Sequence, residues 1–237
     1  MNAESIKRYL KAPATLVFYD SVASTNSTAK QLAAAGAPEG TLVAAASQTD
    51  GRGRMGRSFF SPDKTGVYLS LVLRPDSKDA QKITALAAVT TSEAIEKVTG
   101  IRTGIKWVND LFLDGRKVCG ILAEASRDFV VLGIGIDLFE PKDGFGTLRD
   151  VARGILPYSD FDDEMLSRLA AETVNCFFER YSGGIQDFYD EYRKRLFILG
   201  RELSVTSPGG TEKVTAVGLD RELRLIVRGE NGAERAR

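Results

Sequence analysis

Between residues 41 and 137 the chain reads as short apolar runs separated by turn residues, and this constrains the fold more than any other feature of its 237 residues. Residues 41–48, 67–73, 102–107, 111–113, 117–125 and 129–137 each have the length and β-branched or aromatic content of a strand. Pro75 stops the second run, Asp114-Gly115 is a hairpin signal, and Ser126-Arg127-Asp128 turns the chain between the last two. Strands this closely spaced pair mostly antiparallel. One long helix interrupts them. It is capped at Asp76 or Ser77, ends before Gly100, and aligns Ile83, Leu86, Ala87, Thr90, Ala94 and Val98 on one face. Upstream lie a strand at 15–19 and a helix at 27–35, capped by Asn26 and closed by Gly36 and Pro38. Downstream come helices at 160–178 and 185–196, broken at Gly183-Gly184, and then short strands at 202–206, 213–218 and 223–227. The expected fold class is α+β: a mixed, mostly antiparallel sheet with helices packed on one face. The expected domains are 1–196 and a small all-β unit at 197–237.

Composition narrows the chemistry. Hydrophobic residues make up 43% and charged residues 27%, so a chain of this length buries roughly 70% of its extended surface without staples. Thirty-two basic residues balance 32 acidic ones, which argues against indiscriminate coating of nucleic acid. Histidine is absent. That excludes Ser-His-Asp and Cys-His catalysis, histidine metal ligands and histidine pH switches. Cys119 and Cys176 read as reduced, small hydrophobes. The first 11 residues contain no apolar signal-peptide core, and no run reaches membrane-spanning length, so a cytoplasmic location with no membrane partner is expected.

Three segments carry unusual chemistry. Gly51-Arg52-Gly53-Arg54-Met55-Gly56-Arg57 matches G-x-G-x-x-G, but a strand follows it where a dinucleotide fold needs a helix. Its glycines give freedom and its arginines give bidentate donors. This suits a loop closing over an anion, and equally a solvated basic loop or a nucleic-acid contact. Lys106-Trp107-Val108-Asn109-Asp110-Leu111 sets a cation, an aromatic, an amide and a carboxylate at a strand-to-loop junction; a Trp core anchor with an Asn-Asp turn would look the same. Lys117 leads into a buried strand containing Gly120, which suits a ligand approaching closely or an edge lysine guarding a hairpin.

Together these segments resemble the bacterial biotin protein ligase family in its form without a DNA-binding domain. The family motifs S-T-N, Q-x-x-G-R-G-R-x-G-R, K-W-P-N-D-L, R-K-x-x-G-I-L-x-E and G-x-G-I-N run in order. Here they read Ser24 to Asn26, Gln48 with Gly51 to Arg57, Lys106 to Leu111, Arg116 to Glu124, and Gly133 to Asp137. The resemblance implies a class II synthetase-like core with a small C-terminal SH3-like β-barrel. It implies an ATP-dependent ligase that makes biotinyl-5'-AMP and transfers biotin to a lysine of a biotin carboxyl carrier domain, such as that of acetyl-CoA carboxylase. By resemblance, Ser24, Thr25, Asn26, Gln48, Arg52, Gly53, Arg54, Lys117 and Gly120 serve biotin. Arg54, Arg57, Phe59, Lys106, Asn109, Asp110, Lys117 and Asp137 serve ATP and the adenylate. Lys117, Arg52 and Arg54 are the expected catalytic cations. Mg²⁺ is expected with ATP, near Asp110 and Asp137. A homodimer is compatible with the family.

The sequence departs from the family at Asp137, where Asn is usual, at Val108 for Pro, and at Phe59 for Trp. The alternatives are a lipoate or octanoate transferase, for which Cys119 near Lys117 is the relevant feature, and a biotin-binding homologue without turnover. A DNA-binding repressor is not expected, because only 14 residues precede the first strand.

Overall fold

The computed structural model describes residues 1–75, 80–181, 188–207 and 210–237. The expected cap at Asp76 or Ser77, the Gly183-Gly184 break and residues 185–187 of the last expected helix lie outside the described residues. Seven strands form the main sheet. They are β1 (Thr15–Val22), β2 (Thr41–Gln48), β3 (Gly66–Leu73), β4 (Gly104–Lys106), β5 (Asp110–Leu113), β6 (Arg116–Ala125) and β7 (Val130–Asp137). Their order is β1-β2-β3-β7-β6-β5-β4. β1 and β2 are parallel and joined through α2 (Thr25–Ala34); every other neighbouring pair is antiparallel.

Every residue of β3 is buried, so both faces of the sheet must be covered. One face takes α3 (Ala80–Thr99) and α4 (Asp163–Tyr181), where Leu71 and Leu73 join Ile83, Leu86, Leu169 and Val174 in the main core. The other face takes α2, whose Ala29 and Ala33 pack on Val43, Val72 and Val131. The expectation of helices on one face is thus corrected. An eight-residue strand that is apolar on both sides cannot leave either side to water, and the β1–α2–β2 crossover supplies the second cover.

Two local expectations also change. Ser24, not Asn26, caps α2, its side chain accepting from the Ser27 backbone N–H; Asn26 points inward instead. A short helix α1 (Ala3–Tyr9) that the sequence pattern does not announce docks on α4, tied by Ser5 to Glu164 and by the Asn175 amide to the backbone of Tyr9, Lys11 and Ala12. It buries only Ser5 and Ile6, too little to register as an amphipathic stripe.

After α5 (Tyr189–Arg195) the chain builds a second, antiparallel sheet of four strands. These are β8 (Glu202–Ser207), β9 (Gly210–Leu219), β10 (Leu225–Gly229) and β11 (Glu234–Ala236), in the order β11-β10-β9-β8. β11 adds a strand beyond the three expected.

Candidate active site

The site is built on three missing side chains. β6 and β7 pair Gly120 with Gly135 and Leu122 with Gly133. Alternation puts Gly133, Gly135 and Gly120 on one face of the sheet. A β-carbon at Gly133 would lie 2.0 Å from the Asn26 Oδ1, and one at Gly135 would lie 2.6 Å from the Phe59 ring. The glycines therefore make a floor on which these side chains, and a ligand beside them, can lie flat. Above this floor is a cleft of about 350 Å³, walled by the start of α2, the 52–59 loop and the β4–β5–β6 hairpins.

One end of the cleft is neutral and fully hydrogen-bonded. Gln48 Oε1 accepts from the Thr25 backbone N–H at 2.8 Å and from its hydroxyl at 3.1 Å, while Gln48 Nε2 donates to Ser61 at 2.9 Å. The Ser70 hydroxyl lies 2.8 Å from Thr25 Oγ1 and 2.6 Å from Asn26 Oδ1. Asn26 Nδ2 donates to Glu124 Oε2 at 2.8 Å, and Lys30 pairs with the other Glu124 oxygen. Burial pushes the Glu124 carboxyl up, but the hydrogen bonds from Lys30 and Asn26 outweigh it and hold the group below its ordinary range.

The other end is charged. Lys117 Nζ sits 2.8 Å from Asp110 Oδ1, and Arg54 donates to Asn109 Oδ1 at 2.8 Å. Asn109 is anchored in turn by its Nδ2, which donates to the Ile121 carbonyl at 2.6 Å. The two cations are thus linked through adjacent residues of one hairpin. A bulge makes this possible. β5 and β6 shift register so that Leu111 faces Cys119 while Phe112 faces Lys117. Lys117 and Gly120 are three apart and would otherwise point to opposite faces; the extra residue turns the lysine onto the glycine face. Its ammonium then lies 3.1 Å from where a Gly120 β-carbon would be. The Lys117 backbone is fixed on its other side by Val151 and Arg153.

The arginine loop folds back on itself. Gly53 N–H donates to the Arg57 carbonyl at 2.7 Å and Phe59 N–H to the Gly51 carbonyl at 2.8 Å. Met55 takes the left-handed conformation at the tip (φ 57°) with 89% of its surface exposed.

Every expected site residue but one borders this cleft: Ser24, Thr25, Asn26, Gln48, Arg52, Gly53, Arg54, Arg57, Phe59, Lys106, Asn109, Asp110, Lys117 and Gly120. Asp137 does not. It closes β7 beyond the floor, is 5% exposed, and receives no side-chain hydrogen bond among the described residues. Burial pushes its carboxyl well up, against the opposing charge of Lys117. Asp137 thus stands apart from the other expected site residues, off the cleft wall and with no donor to its carboxyl, an environment that favours the protonated form. Asp110 is already engaged by Lys117, and among the described residues no three acidic or cysteine side chains gather to hold a metal.

Sequence reasoning missed Ser61, Ser70 and Lys30 behind the neutral end, and gave no site role to Glu124, Trp107, Gly133 and Gly135, although each lies in a motif it singled out. The pair Gly133 and Gly135, two apart in an apolar run, was the available signal for a bare sheet face. Nothing local marks Ser70, a single hydroxyl in a buried strand.

The Biotin/lipoate A/B protein ligase family model matches residues 18–137. The bifunctional ligase/repressor BirA of Bacillus subtilis is 35% identical over 234 residues, covering 93% of this chain and 71% of its own. The biotin–[acetyl-CoA-carboxylase] ligase of Mycobacterium tuberculosis is 29% identical over 218 residues, covering 86% of this chain and 79% of its own. Among solved structures, the biotin protein ligase from Aquifex aeolicus in complex with biotin and ATP superposes with a TM-score of 0.78 at 26% identity, covering 94% of this chain and 95% of that one.

Proposed function

This chain belongs to the biotin/lipoate A/B protein ligase family, and on that premise we propose that its cleft joins biotin to ATP and then to a protein lysine. It is a biotin protein ligase. A biotin carboxylate oxygen attacks the α-phosphorus of ATP, displacing pyrophosphate and leaving biotinyl-5'-AMP. The acceptor amine then attacks the carbonyl carbon, loses a proton and releases AMP.

One observation carries this reading. The cleft runs unbroken from a neutral hydrogen-bonding network to a pair of cations over a glycine floor. That matches a ligand with an uncharged polar ring at one end and a carboxylate at the other. Ser24, Thr25, Asn26 and Gln48 take the ring. Lys117, Arg52 and Arg54 take the carboxylate and the α-phosphate, whose mutual repulsion would otherwise oppose the first step. Arg57, Phe59, Lys106, Asn109 and Asp110 serve the nucleotide. Magnesium arrives with the triphosphate as part of the substrate rather than on a resident acidic cluster. What the protein supplies is alignment and preorganised charge, so the absence of histidine costs it nothing.

The acceptor is a biotin carrier domain of a carboxylase, as the name of the mycobacterial relative indicates for that protein. We read residues 197–237, which carry the second sheet, as a unit of SH3-like barrel type packed on a catalytic domain at 1–196. A thiol-dependent acyl transfer is disfavoured. Cys119 is fully buried on the core side of β6, opposite the glycine floor, and burial raises its thiol well above the ordinary value.

The test is to incubate the protein with ATP and either biotin or lipoate, measure pyrophosphate, and weigh an acceptor domain by mass spectrometry. Biotin-dependent pyrophosphate release with biotin on one acceptor lysine is expected. Lipoate transfer without biotin transfer would overturn the reading.

A further inference from the structure

Trp107 is the chain's only tryptophan and forms part of the cleft wall between Lys106 and Asn109. Its indole N–H is donor only and needs an acceptor when half-buried. That acceptor is not in the catalytic sheet. The N–H donates at 2.9 Å to the carbonyl of Leu223, in the turn between β9 and β10 of the C-terminal sheet. Leu223 adopts a left-handed backbone (φ 65°), which a branched side chain takes only where its surroundings hold it there.

Several contacts do so. Leu223 N–H donates to the Asp220 carbonyl at 3.0 Å, and the Asp220 carboxylate accepts from the Arg224 backbone at 2.8 Å and from its guanidinium at 2.7 Å. The Leu223 side chain is 8% exposed, in the main core. Helix α5 clamps both partners: Tyr189 donates to the Leu219 carbonyl at 2.5 Å, and Tyr192 to the Val108 carbonyl at 2.9 Å. A glycine would make the same turn without strain. Leucine makes it with an apolar anchor below and its carbonyl aimed at the indole.

We propose that the β9–β10 turn is a positioning element of the cleft: held by Asp220, the Leu223 carbonyl fixes Trp107 and with it the wall offered to the nucleotide. This gives the C-terminal unit a part in the first chemical step although it supplies no group to the reacting atoms. The proposal rests on the assignment of that wall to ATP.

The test uses Asp220→Ala, a surface change that loosens the turn, Trp107→Phe, which keeps a ring and deletes the donor, and the double variant. In the ligand-free protein, Asp220→Ala should shift Trp107 emission to the red and raise its quenching by acrylamide. In turnover, Asp220→Ala should raise KM for ATP about fivefold, the size of one ordinary hydrogen bond, with kcat and KM for biotin little changed. The double variant should be no worse than Trp107→Phe alone. Unchanged emission and quenching in Asp220→Ala would overturn the proposal, as would equal increases in both KM values or effects that multiply in the double variant. Fluorescence needs no turnover, so a protein that fails to release pyrophosphate would count against the ligase reading while leaving the turn–indole coupling to be decided on its own.

Discussion

The two ends of the cleft are each backed by a carboxylate, and the two carboxylates behave oppositely. Glu124, behind the neutral end, is held charged below its ordinary range, although burial works against it, because Lys30 and Asn26 both donate to it. Asp137, beyond the charged end, is pushed well up by burial, although Lys117 is near and opposes the shift, and no side chain among the described residues donates to it. A partly exposed carboxylate with two donors, one of them a lysine, stays ionised, whereas a fully buried one without donors is driven towards its proton. The same contrast runs through the ends themselves. At the neutral end rigid helix and strand elements satisfy one another permanently. At the charged end Arg54 and Lys117 are each held by one acceptor from a single hairpin, Asn109 and Asp110.

The comparison breaks most sharply at Lys117. Lys117→Ala should slow adenylate formation by roughly a hundredfold or more, as loss of one preorganised donor does elsewhere; pyrophosphate release near the wild-type rate would mean that the reacting end has been misplaced. Next in size is Gly133→Ala. Its β-carbon would lie 2.0 Å from Asn26 Oδ1, so the amide must move and leave Ser70 and Glu124 short of partners. KM for biotin should rise about tenfold or more with a smaller change in kcat. An unchanged KM would detach the neutral end from biotin.

Arg54→Gly tests the loop. A mixed anhydride reacts with any amine or with water, so an enzyme must hold it until the acceptor arrives. Removing Arg54 loses one grip and its tie to Asn109, and should raise escape of biotinyl-AMP about tenfold. Streptavidin detection of label on serum albumin measures this; unlabelled albumin with normal adenylate formation would take retention away from the loop.

The smallest effects concern the two carboxylates and sharpen the contrast directly. Asp137 has a raised folded-state pKa, so its contribution to stability is complete below the ordinary carboxylate value and falls away as pH rises. Asp137→Asn should therefore raise Tm at pH 7 by roughly 3 °C, by a margin that shrinks on acidification, and leave the Mg²⁺ dependence of turnover unchanged. Glu124 is depressed, so its contribution is present above the ordinary value and lost as pH falls through the folded-state value. Glu124→Gln should lower Tm at pH 7 by about 2 °C, with the gap closing in acid. Thermal melts of the three proteins across pH decide both signs, and parallel curves would refute the opposition.

Much of the site was legible because its residues lie in contiguous motifs. Lys106 to Asp110 and Arg52 to Arg57 announce themselves by charge interleaved with glycine and aromatic residues. The capping role given to Asn26 was not, because Ser24, two residues earlier, satisfies the same local rule, and only Ser70 and Glu124 across the sheet turn Asn26 inward. The setting of Asp137 was not legible either, because its place in a motif says nothing of which groups face it, and the structure sets it off the cleft wall.

The sequence by itself determined the strand-rich middle with its hairpins, the long apolar helix faces, the glycine- and arginine-rich loop, and the exclusion of histidine chemistry. These are local properties, fixed by periodicity, turn residues and composition within a few positions. Only the tertiary structure decided that helices cover both faces of the sheet, that a one-residue bulge turns Lys117 onto the glycine floor, and that one carboxylate keeps its charge while the other is driven towards its proton. It also decided that a turn from the C-terminal sheet holds Trp107 in the cleft wall. Each of these depends on groups distant in the chain meeting where water is excluded, and an interaction energy that depends on what lies opposite cannot be read from what lies adjacent.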